Sequence, residues 1–203
     1  MSEIRDTLEQ IRRRLNEFIA ASHPRPGEWV VLSNIIDDSG EPSEWVKDKL
    51  VMVLANIQKE TAVSTYNPAA PIRQNNYAIV APPLYIDLFV LLYANFSDRS
   101  YHEGLGVIAQ AISFFQQNLW FTRAELPDLP QAIQKLTFEL TNLDLVEVNH
   151  LVGMMGARYL PSLFYKVRMI PFQTGAVQAQ VSGVQGINNP GEVLDTPPGP
   201  VEE

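Results

Sequence analysis

Hydrophobic and polar positions alternate with a period of two from Lys135 to Leu140: Leu136, Phe138 and Leu140 face one way, and Lys135, Thr137 and Glu139 the other. That predicts a half-buried strand. Asp144 and Glu147 then stand where a capping box starts a helix, the first accepting from free backbone donors and the second bonding back. Leu145, Val148, Leu151, Val152 and Met155 follow at steps of three and four, an apolar stripe for a helix lying on a sheet. Gly156 suits a left-handed helix end, and Pro161 blocks further helix. Alternation returns from Leu163 to Ile170, with Leu163, Tyr165, Val167 and Met169 on one side and Phe164, Lys166, Arg168 and Ile170 on the other. If the two strands are neighbours, Lys166 and Arg168 meet Glu139, a cross-strand pairing worth about 0.2–1 kcal/mol each. Such a pairing sets register.

The same reading extends towards the amino end. Ile4, Leu8, Ile11, Leu15, Phe18 and Ile19 have helical spacing over residues 2–20, while Arg12, Arg13 and Arg14 fan mostly outward. Pro24 and Pro26 break the helix, and residues 29–36 and 50–57 read as strands, the second apolar enough to be covered on both faces. Asp37, Asp38, Ser39 and Gly40 form a turn; the further spaced ligands of a calcium loop are missing. Residues 59–81 are polar and read as a long loop, whose Tyr66, Asn67, Arg73 and Asn75 are candidates for reaching a neighbour. Residues 84–96 read as the central strand, with Ile86, Leu88, Val90, Leu92 and Ala94 on one face and Tyr85, Asp87, Phe89, Leu91, Tyr93 and Asn95 on the other. Ser100 and Glu103 suggest a second capping box, before a helix whose stripe is Leu105, Ile108, Ile112, Phe115 and Leu119. Trp120 and Phe121 follow it as core or contact residues, and Met154 and Met155 read as core filling.

These elements make an α/β protein of the α+β type: a mixed, largely antiparallel sheet packed with two to three helices. Its 203 residues and apolar fraction of 46% allow one domain with a sizeable core over residues 1–172. Residues 173–203 are rich in Gly, Pro and Asn and read as a flexible acidic tail. Half of the formal charge of −8 lies in that stretch, with Glu192, Asp195, Glu202 and Glu203 and no Lys or Arg, leaving about −4 elsewhere. A phosphate-binding surface needs a concentrated basic field, so nucleic acid is not an expected partner. The chain has no cysteine, which removes disulfides, thiolate zinc sites and thiol nucleophiles together. No apolar run approaches the roughly 20 residues of a membrane helix, and the expectation is a cytoplasmic protein without membrane insertion.

Taken together and in order, KLTFEL, NLD, NH, GARYLPS and YKVRM resemble the core signature of the cap, or tail-terminator, proteins of extracellular contractile injection systems, the phage-tail-like particles of bacteria. The resemblance runs back through PPLYIDLFVLLYANF and ISFFQQNLWFT to the first helix and covers most of residues 1–172. It implies a tail-terminator-like fold. It also implies a structural role, in which a homohexameric ring at the distal end of inner tube and sheath ends their polymerisation and couples them.

The chemistry-bearing residues agree with a structural role. Asp87 is the one carboxylate in its strand and has no evident acid or base partner; a hydrogen-bonded strand-end carboxylate is the simpler reading. His23, His102 and His150 lie on different elements, without the i, i+3 or i+4 partner of a metal pair. Gly104 and Gly106 lack the rest of a phosphate-binding fingerprint. No catalytic residue, metal or cofactor is expected; Arg12, Arg13 and Trp120 join the loop residues as interface candidates. The rival readings are a monomeric adaptor linking the particle to cargo or membrane, and a small enzyme with a pocket near Asp87, His102 or His150.

Overall fold

The computed structural model describes residues 3–41, 43–61, 70–73, 76–80, 84–172 and 177–182. In chain order the elements are α1 (Glu3–Ser22), β1 (Val30–Leu32), a 3-10 turn (Glu44–Val46), β2 (Lys49–Lys59), β3 (Ala70–Arg73), β4 (Asn76–Val80), β5 (Leu84–Asn95), a second 3-10 turn (Asp98–Ser100), α2 (Tyr101–Gln117), β6 (Trp120–Thr122), β7 (Lys135–Leu140), α3 (Leu145–Met154), β8 (Ser162–Phe172) and β9 (Val177–Ser182). They fall into two units. The larger takes residues 1–65 and 82–174, and the smaller residues 66–81 and 175–203.

The larger unit is a six-stranded sheet in the order β1-β2-β5-β8-β7-β6. Only β1 and β2 run parallel. A parallel pair needs a crossover, which residues 33–48 supply. The sheet is therefore mixed and largely antiparallel, as the periodicity predicts. On one face, Leu88, Val90 and Leu92 of β5 form a single buried cluster with Leu8, Ile11, Leu15 and Ile19 of α1 and with Val107, Ala111, Phe114 and Phe115 of α2. The other face carries a smaller cluster of Val51, Leu91 and Tyr93 with Val31, Ile35 and Val46, against which Leu151 of α3 and Met155, its C-cap, pack. Aromatic rings tie the first layer together: Phe115 lies 4.3 Å from Tyr165 and 5.1 Å from Phe138, centroid to centroid.

Several local expectations shift. The capping box of α3 forms as read, with Asp144 accepting from Val146 and Glu147, and Gly156 has a φ of 65°. The box expected at Ser100 does not form, because its hydroxyl instead donates to Asp48 Oδ1. Asp48 itself has a φ of 52°, a left-handed conformation that short polar side chains tolerate best, and also accepts from Ser97 N at 2.8 Å. Burial pushes its carboxyl up, and the bonds from Ser100 and Ser97 more than offset this, so it titrates below the usual range.

In α2 the buried stripe is Gly104, Val107, Ala111, Phe114 and Phe115, rotated from the one expected; Leu105 and Ile112 are exposed. The small Gly104 and Ala111 let the helix approach the sheet closely. In β8 the strict alternation breaks at a bulge: Leu88 pairs with Val167 and Ile86 with Ile170, so Asp87 stands opposite two residues. Ile170 consequently joins Tyr165 and Val167 in the core instead of pointing to the polar side. The strand expected over residues 29–36 ends at Leu32, as Ser33 makes the closing bond to Met52 O and the chain turns at Asp37. Met154 is 80% exposed, not core filling, while Met155 packs on the second cluster.

The smaller unit is a three-stranded antiparallel sheet in the order β3-β4-β9. Its first two strands lie within residues 59–81, where polar composition suggested a loop. Its third lies within the stretch read as a tail, with Asn76 opposite Ser182 and Ile79 opposite Ala179.

A Cβ added at Gly104 would sit 2.8 Å from the Phe96 ring, whereas one at Gly106 meets nothing within 4 Å. Gly104→Ala is thus expected to destabilise the protein by about 1–3 kcal/mol through overpacking. Gly106→Ala should gain up to about 1 kcal/mol of helix propensity. Urea denaturation of both variants checks the pair, and equal effects would contradict the assigned helix phase.

Candidate interaction surfaces

Of the three arginines expected to fan outward from α1, Arg12 turns inward. It is only 9% exposed, and its guanidinium donates to Glu9 at 2.7 Å, to Glu28 at 2.7 Å and to Val30 O at 3.1 Å. A helix face, the following strand and its lead-in are joined by one fork of donors. These bonds hold the Arg12 pKa above its ordinary value, and the hydrogen bond from Arg12 holds the Glu9 carboxyl below its own. Arg13 is exposed and bonds Glu9 at 3.1 Å, and Arg14 is exposed beside Glu17. Arg12 is therefore a structural residue, and Arg13 remains a surface one.

The polar half of the second sheet face carries three ion pairs. Lys166 Nζ lies 2.9 Å from Asp87 Oδ2, and Arg168 lies 2.8 Å from Glu60 and 3.5 Å from Glu139. Asp87 and Glu60 are both buried. The register sets Lys166 opposite Glu139, yet its ammonium goes to Asp87, so only Arg168 makes the expected cross-strand contact. Asp87 Oδ1 accepts no hydrogen bond among the described residues. His102 and His150 are exposed on α2 and α3, whereas Asp87 is buried in β5. Among the described residues no three His, Cys, Asp or Glu side chains gather as a metal would require, and no helix is long and apolar enough to cross a membrane.

Exposed apolar side chains gather elsewhere. Trp120 of edge strand β6 is 52% exposed, with Lys135 Nζ 4.6 Å from its ring centroid, whereas Phe121 beside it is core. In α3, Leu145 is 80% exposed and Val146 is also exposed, so the stripe expected to face the sheet does so only from Val148 onward. The space beneath the first turns is a cleft of about 220 Å³, lined by Leu91, Leu143, Val148, Leu151, Leu163 and Phe164, with Thr141, Asn142 and Ser162 adding polar atoms. Trp45, on the first 3-10 turn, is 59% exposed with Lys49 Nζ 3.9 Å from its ring centroid. Of the loop candidates, Arg73 falls in β3, while Tyr66, Asn67 and Asn75 lie outside the described residues.

The family model described as the Pvc16 N-terminal domain matches residues 6–185. The chain belongs to that family. The Pvc16 match reaches beyond residue 172, where the resemblance read from the sequence stops, and takes in β9.

Solved structures share the fold of this chain. One is a PVC sheath/tube terminator of an extracellular contractile injection system in its extended state: TM-score 0.62, 12% identity, 98% of this chain and 63% of that one. Another is the tube-terminating cap of the anti-feeding prophage: TM-score 0.55, 14% identity, 87% of this chain and 58% of that one. This Pvc16-family chain thus spans less than two thirds of each. No curated protein matches it significantly.

The features that sequence reading missed are the cleft, which four separate segments build, and Trp45, whose signal is an aromatic residue set between Glu44 and Lys47 in a turn.

Arg12→Ala is expected to cost about 2–3 kcal/mol, from lost charged hydrogen bonds and packing of its stem. Arg13→Ala should cost under about 0.5 kcal/mol. Because the folded Glu9 pKa is lowered, its stabilisation is complete above the unfolded carboxylate value of about 4.3 and is lost as pH falls through the folded value. Stability measured against pH below about 5 should therefore fall less steeply in Arg12→Ala than in the parent; equal slopes would uncouple Glu9 from Arg12.

Proposed function

We propose that this chain is a structural terminator of a contractile injection particle. Its copies form a homohexameric ring on the last layer of inner tube and sheath, end the growth of both and couple them. The observation that carries this reading is the overlap of 98% of the chain with 63% of a protein described as a sheath/tube terminator. The family match over residues 6–185 supports it.

The work of such a terminator is done by shape. A ring whose subunits meet head to tail satisfies one repeated contact and closes, while a face without an edge for another subunit stops growth. The reading is non-enzymatic: Asp87 is buried against Lys166, and the apolar patches suit a module that binds partners. The partners are further copies of the chain and the tube and sheath proteins, and the protein is found in the assembled particle. The segment carrying Tyr66, Asn67, Arg73 and Asn75, with the surfaces of Arg13 and Trp120, reaches neighbouring subunits.

Electron microscopy of particles assembled with and without the chain tests this. Its loss is expected to give overlong or ragged tube and sheath ends that added protein restores. Particles of unchanged length and intact ends would remove the terminator reading in favour of an adaptor.

A further inference from the structure

Two surface features of the larger unit leave apolar surface uncovered. The first is Trp45. Its neighbour Val46 is fully buried, which fixes the turn, and the Lys49 ammonium lies over the ring and donates to Trp45 O at 2.8 Å. Lys47 is exposed beside it, with Glu44 at 3.7 Å. The turn thus presents a rigid aromatic knob flanked by two lysines, at a cost in ordering that is met within the subunit.

The second is the cleft under α3. An apolar cavity of about 150 Å³ holds a benzene ring, so about 220 Å³ admits an indole. Asp144 and Glu147 are exposed on the segment between two parts of its lining, with Glu139, 3.5 Å from Arg168, at the end of β7, and the first lysine or arginine after residue 139 is Arg158. The knob and the cleft are separate surfaces. Trp45 borders Glu9, Arg12, Glu28, Val31 and Leu32 beside edge strand β1, and none of these lines the cleft.

We infer that Trp45 of one copy seats in the α3 cleft of the next, with Lys47 and Lys49 facing the acidic segments around it. The occupant is a second copy of this chain because knob and cleft match in size, in apolar character and in charge. Two different patches meeting head to tail are what a closed ring requires, whereas Trp120 and the cleft both lie towards the β7–β6 edge and do not make such a pair. A buried tryptophan is also the side chain most often found to dominate an interface. The inference rests on the ring reading and adds to it the surfaces that close the ring.

The cysteine-free sequence gives a direct test. Full-length Glu44→Cys and Asn142→Cys chains are mixed, assembled into capped particles and oxidised. The expected result is a covalent dimer from the mixture and none from either variant alone. Trp45→Ala, whose circular dichroism and urea midpoint should match the parent because the side chain is exposed, is expected to weaken ring formation roughly tenfold or more. If capped particles carry a ring, yet no cross-link forms and Trp45→Ala assembles normally, the knob-and-cleft contact is wrong and the ring reading stands. If mass measurement finds a single copy at each end, both fall.

Discussion

The alternation of side chains along β5 decides where the rest of the larger unit goes. Its even-numbered residues from Ile86 to Ala94 are all core on the face covered by α1 and α2, and Leu91 and Tyr93 are core on the other. A strand buried on both faces needs a layer on each side and a paired strand along each edge. The long helices satisfy the first side. On the second, α3 and residues 33–48 cover only one end, and towards the other the sequence changes from Tyr93 and Leu91 to Asp87. There the strand carries its charge into the sheet, and Lys166 neutralises it from β8. Removing one partner of such a pair costs more than the pair contributes, because a buried charge is left alone.

Much of this was legible in the sequence because period two and period three-and-a-half leave strong traces in β5, β7 and α1. The phase of α2 was not. That helix is apolar over more than half its circumference, so two overlapping stripes fit a helix equally well. The buried one is marked by Gly104 and Ala111, and the small size of Gly104 matters only once the Phe96 ring is above it. The β8 bulge was hidden for a related reason, since a single extra residue changes face without changing composition. Arg12 was hidden because two of its acceptors, Glu28 and Val30 O, lie beyond the helix, and nothing in an arginine triplet distinguishes its members. The strands at Ala70–Arg73 and Asn76–Val80 form where polar composition reads as loop, in an antiparallel sheet whose third strand lies far along the chain.

The interaction surfaces were the least legible part. Polarity and length single out loop candidates, whereas among the described residues the exposed apolar side chains include Trp45, Trp120 and the first turn of α3. A cleft is made by what several segments leave unfilled, and no local pattern records a vacancy. The family match and the overlap with solved structures bear on the fold, and the exposed side chains bear on which surfaces are open to contact.

The position of β8 has a consequence for synthesis. It is the last strand of the larger unit to leave the ribosome, yet it lies between β5 and β7 in the sheet. Until it is available, β1-β2-β5 and β7-β6 are two fragments, each with an open edge able to template the wrong pairing. A chain cut short before Ser162 therefore exposes both edges at once and joins nothing properly. Only a chain read through β8 can join the two fragments, so the sheet stays open until late in synthesis.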